Sequence, residues 1–416
     1  MTTSVIRAGG TGVAGVQTTG GDDGALSLKV GPLSTTVEAL SITSAGAATL
    51  ASTLAITGDL TANNFAGRNK IIGGDFTTNP WQRGTSFAAI ANAAYSADRW
   101  VVGYTTSAAQ TASKAADAPT AAQAGTFTQH CLSLAVTTAD TSIAAGDYMI
   151  LVQVIEGLNA ASFGFGQAGT RYVTLSFWVK GTKTGIHCVQ VANSAGNRSY
   201  VAEYTINSTN TWEYKTITIP VDTTGTWLYT NGAGIDVRFS LASGSTFQTS
   251  ADTWAAGNFL ATSNQVNALD STSNIFKIAL VQLEAGSVAT TFDARSVGTE
   301  LALCQRYLYK LEADTADKGM GLVGQAYGTT ASILPFVFPV TPRTKVTGIT
   351  ISGATDFSLT VAASSRQATT GLTFGAAFPN GVWLTGSVGA NLAAGDAVTL
   401  WSAVDDAFIL FTGAEL

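Results

Sequence analysis

The stretch RYVTLSFWVKGTKTGIHCVQVANSAGNRSYVAEYTI, residues 171–206, decides the fold. Three runs rich in Val, Ile, Tyr, Phe and Trp are separated by GTKTG and NSAGN. Runs of that length and composition, cut by Gly, Asn, Ser and Thr, are strands joined by tight turns. The texture continues on both sides. HCLSLAV and YMILVQVI precede it, and WEYKTITIPV, GIDVRFSL and IFKIALVQLEAG follow it. This spacing predicts one antiparallel sandwich or jelly roll over residues 68–295. From 315 to 416 a second series alternates apolar and polar residues: ASILPFVFPVTPR, VTGITISG, FSLTVAAS, GLTFGAAF, GVWLTGSV, DAVTLWSA and DAFILFTG. It predicts a smaller C-terminal β-sandwich.

Between the two lies VQLEAGSVATTFDARSVGTELALCQRYLYK, residues 281–310. Leu301, Cys304, Leu308 and Leu311 recur at i, i+3, i+7 and i+10, a helical spacing. A helical joint is expected over 296–314, capped by Ser296 or Thr299, with Glu300 in the first turn where the helix dipole favours an anion. Only 12% of the chain is charged, yet this bridge holds six Lys, Arg, Asp and Glu side chains. Burying a charge costs several kcal/mol unless it is paired. Asp293, Arg295, Glu300, Arg306 and Tyr307 are therefore read as a joint. Asp293 and Arg295, two apart, share a strand face and grip the next element; Arg306 pairs with an acid of a neighbouring chain.

Upstream, LSLKVGPLSTTVEA, LSITSAGAATLAST and LAITGDLTANNFAG begin at Leu26, Leu40 and Leu54, fourteen residues apart. Each opens with two large apolar residues at strand period. Three such units bury too little alone, so they predict a narrow shaft over 26–67 in which identical chains share a core; the alternative is a flexible linker. Residues 1–25 are Gly-rich and read as an anchor. GGTGVAG within them follows no strand, and no basic residue comes after it at a phosphate-binding spacing, so it is not read as a phosphate loop.

The net charge is 21 − 27 = −6, and no Lys/Arg block appears. A nucleic-acid groove needs clustered cations, so that partner class is not expected. The N-terminus lacks the order of a secretory signal, and no apolar run is long enough to span a membrane. Synthesis in a cytoplasm, with no membrane insertion, is the expectation. Cys131, Cys188 and Cys304 are an odd set without close spacing. His130 and Cys131, and His187 and Cys188, are adjacent pairs, but neighbours on a strand face opposite ways. No metal site, disulfide framework or cofactor is expected.

NKIIGGDFTTNPWQRGTSF, YSADRW, TLSFWVKGTKTG, AGNRSYVAEYTIN, TWEYKTITIP and the 281–310 stretch resemble a jelly-roll module of tail fibres and related appendage proteins of tailed bacteriophages. GGDDGALSLKVG and the fourteen-residue units look like the shaft repeats that often precede it. The resemblance covers about residues 20–310. It implies an elongated, homotrimeric virion protein made in a host cytoplasm. Its partners would be copies of itself, tail or baseplate proteins at the N-terminus, and a host-surface glycan or protein. Position on the tail, baseplate or head stays open.

Glycan recognition uses exposed aromatic faces beside amide, carboxylate and Arg groups. Trp178 and Trp212 lie in strands and are assigned to the core. Trp227, Tyr229 and Trp254 sit in loop-like contexts and are ligand candidates. In the C-terminal region Phe378, Asn380 and Trp383 flank a Pro-Asn-Gly turn, and Asp405 and Asp406 form an acidic pair; with the distal end there, these contact the receptor. The acids Asp98, Asp147, Glu156, Asp236, Glu284 and Asp293 fall in no catalytic motif, and no nucleophile elbow accompanies the two His. The expectation is a non-enzymatic fibre that attaches to a host surface. The alternatives are a purely structural head-fibre, decoration or connector component, and a glycan-degrading tailspike.

Overall fold

A computed structural model describes residues 67–361 and 366–416, together with four backbone strands further upstream. Those four, β1 (Gln17–Gly20), β2 (Leu26–Val30), β3 (Val37–Ile42) and β4 (Ala48–Leu50), form an antiparallel sheet in chain order. Leu28 stands opposite Leu40, and Leu40 opposite Leu50. The first two fourteen-residue units thus lie along a meander. The third unit, and most of the 1–25 segment, lie outside the described residues. The upstream strands belong to a compact unit of their own, residues 1–61; the rest of the chain forms a second.

In the second unit the strands are β5 (Ser86–Phe87), β6 (Ala94–Tyr95), β7 (Trp100–Tyr104), β8 (Ala109–Ala115), β9 (Cys131–Thr138), β10 (Tyr148–Glu156), β11 (Tyr172–Gly181), β12 (Gly185–Asn193), β13 (Ser199–Ile206), β14 (Glu213–Pro220), β15 (Ala233–Ser243), β16 (Trp254–Ala255) and β17 (Ile275–Ala285). They make two antiparallel sheets, β16-β13-β12-β15-β10-β7-β6 and β14-β11-β17-β9-β8-β5. The strand-and-turn reading of the 171–206 stretch holds. Val173, Leu175, Phe177 and Val179 of β11 are fully buried and meet Val189, Val191 and Phe239 from the other sheet in one core. Thr174, Ser176, Trp178 and Lys180 take the outer face.

One irregularity matters for that face. Ser176 pairs with Gln282, and Trp178 with Ala279, so β17 carries one extra residue there. Leu280 adopts φ 49, and Ala279 and Leu280 both fall in an outer-face cluster with Cys131 and Trp212. The bulge also exposes ladder groups to the NKIIGGDF segment. Val281 N donates to Gly74 O, Lys70 N to Leu283 O and Leu283 N to Asn69 Oδ1. A Cβ on Gly74 would lie 2.2 Å from Val281 O, so the close approach requires glycine.

Helix α1 (Ala121–Ala124) and helix α2 (Gly157–Ala160) are single turns; α3 (Val297–Gln305) follows β17. Ser296 caps α3 by accepting from Thr299 N, as expected. The helix is shorter than the 296–314 joint predicted. Tyr307 N and Leu308 N bond back to Cys304 O, and the chain then enters β18 (Tyr309–Glu312). Leu308 and Leu311 therefore leave the helical stripe. Gln82 sets this exit by holding Leu308 O and Lys310 N.

The C-terminal region is antiparallel β, as expected, but its main strands close on themselves. β19 (Gly319–Ala326), β20 (Ala331–Val337), β22 (Phe357–Val361), β23 (Gln367–Phe378), β24 (Gly381–Val388) and β25 (Ala397–Ser402) form a barrel in the order β19-β20-β24-β23-β22-β25. β21 (Gly348–Ile351) and β26 (Phe408–Thr412) complete a three-stranded sheet with β18. A two-sheet sandwich would leave β19 and β25 as edges; here they pair and no edge remains in the ring.

Candidate functional site

The charged bridge resolves into an intrachain seam. Glu156, at the end of β10, is 1% exposed. Its carboxylate accepts from Arg306 Nε at 2.9 Å, Arg306 Nη2 at 2.6 Å and Tyr307 Oη at 2.7 Å. Burial alone would raise its pKa, but these bonds from Arg306 and Tyr307 hold it below the usual range. Arg306 thus pairs within its own chain, not with a neighbour as the sequence suggested. Its reach to Glu156, 150 residues back, exists only once β10 and α3 are side by side. Asp293 and Arg295 are not on a strand. Asp293 Oδ2 accepts from Asn69 N, while Arg295 donates to Ile71 O and to Glu300. Glu300 also accepts from Gly73 N, so its carboxylate ties α3 to the NKIIGG segment.

A second layer locks the C-terminal peptide. Arg99 is buried at φ 74, a costly conformation for a bulky residue. Its guanidinium lies 3.7 Å from the Tyr307 ring centroid and donates to Val154 O and to Glu415. Arg83 Nη1 is 3.0 Å from Glu415. Arg343 donates to Ala414 O, Glu415 O and Asn231 O, and Tyr95 Oη to Leu416 O. Beside them, burial pushes the Asp98 carboxyl up to about 6, against two hydrogen bonds from Gln82. All these charges face partners, which is the geometry of a joint.

The aromatic candidates divide. Trp227 is buried and stacks 4.4 Å from Phe165, with its Nε1 on Thr224 O. Tyr229 donates to Phe165 O, and Trp254 to Pro220 O. Trp254 is half-buried 5.5 Å from Trp227. Trp227 belongs to the sandwich core, Tyr229 and Trp254 pack partly buried against it, and the polar atom of each ring system is already bonded to backbone. Trp383, by contrast, is 51% exposed, and Phe378 lies 6.4 Å from it across the Pro379 and Asn380 turn. Register places Pro335 and Ala376 beside Trp383, with Ile333 and Val337 on the same outer face of β20 and exposed Val323 on β19. Asp405 accepts from Ala316 N, and Asp406 sits at φ 56 in the turn to β26.

Trp178, assigned to the core from the sequence, is half-buried on the outer face. It pairs across β11 and β14 with Tyr214, 44% exposed, at 5.4 Å between rings. The two rings wall a cleft of about 220 Å³ lined also by Gln123, Ser176, Leu280, Thr290 and Phe292. Among the described residues, no protein group bonds Trp178 Nε1, Tyr214 Oη, Ser176 Oγ or Gln123 Nε2. Gln123 is fixed by a capping box with Thr120. The loop that carries it is tied to the sheet by Asp117, which accepts from Lys180, Lys277 and Trp212 Nε1. Partial burial raises the Asp117 pKa, but those bonds outweigh it and bring it to about 2. The bulge at Leu280 puts the cleft's apolar floor outside the core. The sequence assigned Trp178 to the core because it lies in a strand; its place between the buried Phe177 and Val179 of β11 turns it to the outer face instead.

His187 is a core residue stacked on Tyr204, and Cys188 faces the other way toward Thr262. Among the described residues no cluster of three metal-ligating side chains occurs, and no helix is long and apolar enough to cross a membrane.

No family model matches the chain, and no curated protein matches it. Among solved structures, the enzymatically active domain of tailspike protein 4 of bacteriophage CBA120 superposes on 53% of this chain and 22% of its own, at 14% identity and TM-score 0.29. TmCBM61, in complex with β-1,4-galactotriose, covers 53% of this chain and 99% of its own at 12% identity and TM-score 0.26. A putative sugar-binding protein from Bacteroides thetaiotaomicron covers 52% and 100% at 11% identity and TM-score 0.29. Superpositions at such scores carry no functional inference for this chain.

Proposed function

We propose that this chain is an attachment component of a tailed-phage appendage, and that it binds a surface glycan in the cleft walled by Trp178 and Tyr214. One observation carries the glycan reading: two aromatic faces border a cleft in which four polar groups have no protein partner among the described residues. A sugar ring offers an apolar face to stack and hydroxyls to satisfy those groups. The phage reading rests on the resemblance of the NKIIGGDF, SFWVKG and 281–310 motifs. Those motifs hold the seam and the sandwich, so they describe the scaffold, while the cleft supplies the binding. The uncharged stripe around Trp383 favours a different use. Val323, Ile333, Pro335 and Val337 offer aliphatic surface without hydroxyl partners, which suits another protein surface better than a sugar. We assign that stripe to contact between copies of this chain, in the homotrimer the resemblance implies.

The test is a glycan array probed with the full chain and with Trp178→Ala. Saturable binding that Trp178→Ala weakens tenfold or more supports the reading. Binding unchanged by Trp178→Ala, or lost only with Trp383→Ala, refutes the cleft as the site. Release of reducing sugar from a bound polysaccharide would instead favour a tailspike hydrolase.

A further inference from the structure

The outer face of the other, seven-stranded sheet holds a polar cluster that neither the seam nor the cleft uses. Gln190 on β12 stands opposite Arg238 on β15, and Ala192 opposite Asp236. Gln190, Asp236 and Arg238 therefore share one face, away from the Val189, Val191, Val237 and Phe239 core side. Gln190 is fully buried and Asp236 is 6% exposed. Arg238 Nη2 donates to Asp236 Oδ2 at 2.5 Å, and Arg238 Nη1 to Asn258 Oδ1 at 2.7 Å. Gln190 Nε2 reaches the same Asn258 oxygen at 3.4 Å. That leaves two acceptors, Gln190 Oε1 and Asp236 Oδ1, buried without a hydrogen-bond partner among the described residues. Asn258, exposed on its loop, is the one side chain bonded over them.

We propose that this cluster is a second ligand site, for vicinal hydroxyls of a neutral sugar. The chemistry narrows the ligand in three steps. Both orphan atoms are acceptors, so the ligand must donate two hydrogen bonds. Arg238 already neutralises Asp236 and repels a cation, so the donors are not a metal ion or an ammonium. Asn258 Nδ2, unused by the protein among the described residues, is a donor at the rim, so the ligand must also accept. A diol does both. On the same face β10 and β7 present half-buried Val154 and Val101, and Tyr148 of β10 meets Phe247, from the turn after β15, edge-on. They give an apolar surface for the ring that carries the diol. Burial raises the Asp236 pKa despite Arg238, the sign of a carboxylate short of donors. Access requires rotation of the Asn258 side chain.

The experiment uses the full chain carrying Trp178→Ala, so that the cleft proposed above is disabled and its failure is separable from this one. Galactose, glucose and mannose are titrated by calorimetry and soaked into crystals. The expected result is saturable binding of at least one hexose, with hydroxyls on Asp236 Oδ1 and Gln190 Oε1. Asp236→Asn should weaken it tenfold or more, and Gln190→Met, which keeps the shape, should do the same. The second variant settles the matter if the first fails to fold. Density for a single ordered water bridging the two oxygens, with no hexose bound, overturns the proposal; so does hexose binding that both variants leave unchanged.

Discussion

Replacing Arg306 with Ala tests the seam most directly. Glu156 is 1% exposed and would keep Tyr307 Oη as its one donor. Hydrogen bonds to charged groups contribute about 1.5–3 kcal/mol each, and removing one partner of a buried pair costs about 3–5 kcal/mol. The Arg306 side chain is 31% exposed, so solvent screens part of this. About 3 kcal/mol is the working figure. The quantity falls on the coupling between sandwich and barrel, so the readout is native-state hydrogen exchange at Tyr307 N and Leu308 N, both bonded to Cys304 O. A 3 kcal/mol loss speeds their exchange roughly 150-fold at about 1.36 kcal/mol per decade. The sign with pH is fixed. Arg306 and Tyr307 hold the Glu156 pKa below its unfolded value, so the pair stabilises above the ordinary carboxylate range and its contribution disappears as pH falls through the depressed value. The deficit of Arg306→Ala should therefore shrink as pH falls below about 4.5. Adding Glu156→Gln should recover part of it at pH 7, because the unpaired buried charge is gone. Exchange accelerated less than threefold, or a deficit constant from pH 7 to pH 3, would refute the seam as argued.

Three further outcomes follow from other residues. The Asp98 carboxyl is raised to about 6, so its protonation favours the folded state: stability on its account rises as pH falls from about 7 toward 4, and Asp98→Asn should flatten that slope in urea unfolding. Tyr214→Ala should weaken glycan binding several-fold while leaving the unfolding free energy from urea titration within about 0.5 kcal/mol, since the ring is 44% exposed. Trp383→Glu should reduce self-association in sedimentation without unfolding the barrel, whereas unchanged mass would remove the stripe from any contact between copies.

Alternation and turn residues were legible without coordinates. The strand runs of residues 171–206, the turn at Pro379 and Asn380, and the cap at Ser296 all come from local rules. A strand has period two, a turn needs permissive residues, and a helix N-terminus needs an acceptor. The joint was legible as well, because six charges in a chain with few must be paired somewhere.

Partners across long sequence separation were not. Arg306 meets Glu156 and Arg99 meets Glu415, 150 and 316 residues apart, and nothing local encodes such pairs. Exposure was equally hidden. The sequence put Trp178 in the core and Trp227 among the ligand candidates, yet Trp227 is buried in the sandwich core and Trp178 walls a cleft. Burial depends on what the rest of the chain lays over a face. The sequence by itself determined which residues can be strand, turn and cap, because those are decided by a residue and its near neighbours. Barrel closure, the seam and the two polar sites were decided only when distant segments met. Each depends on distances that no single stretch contains.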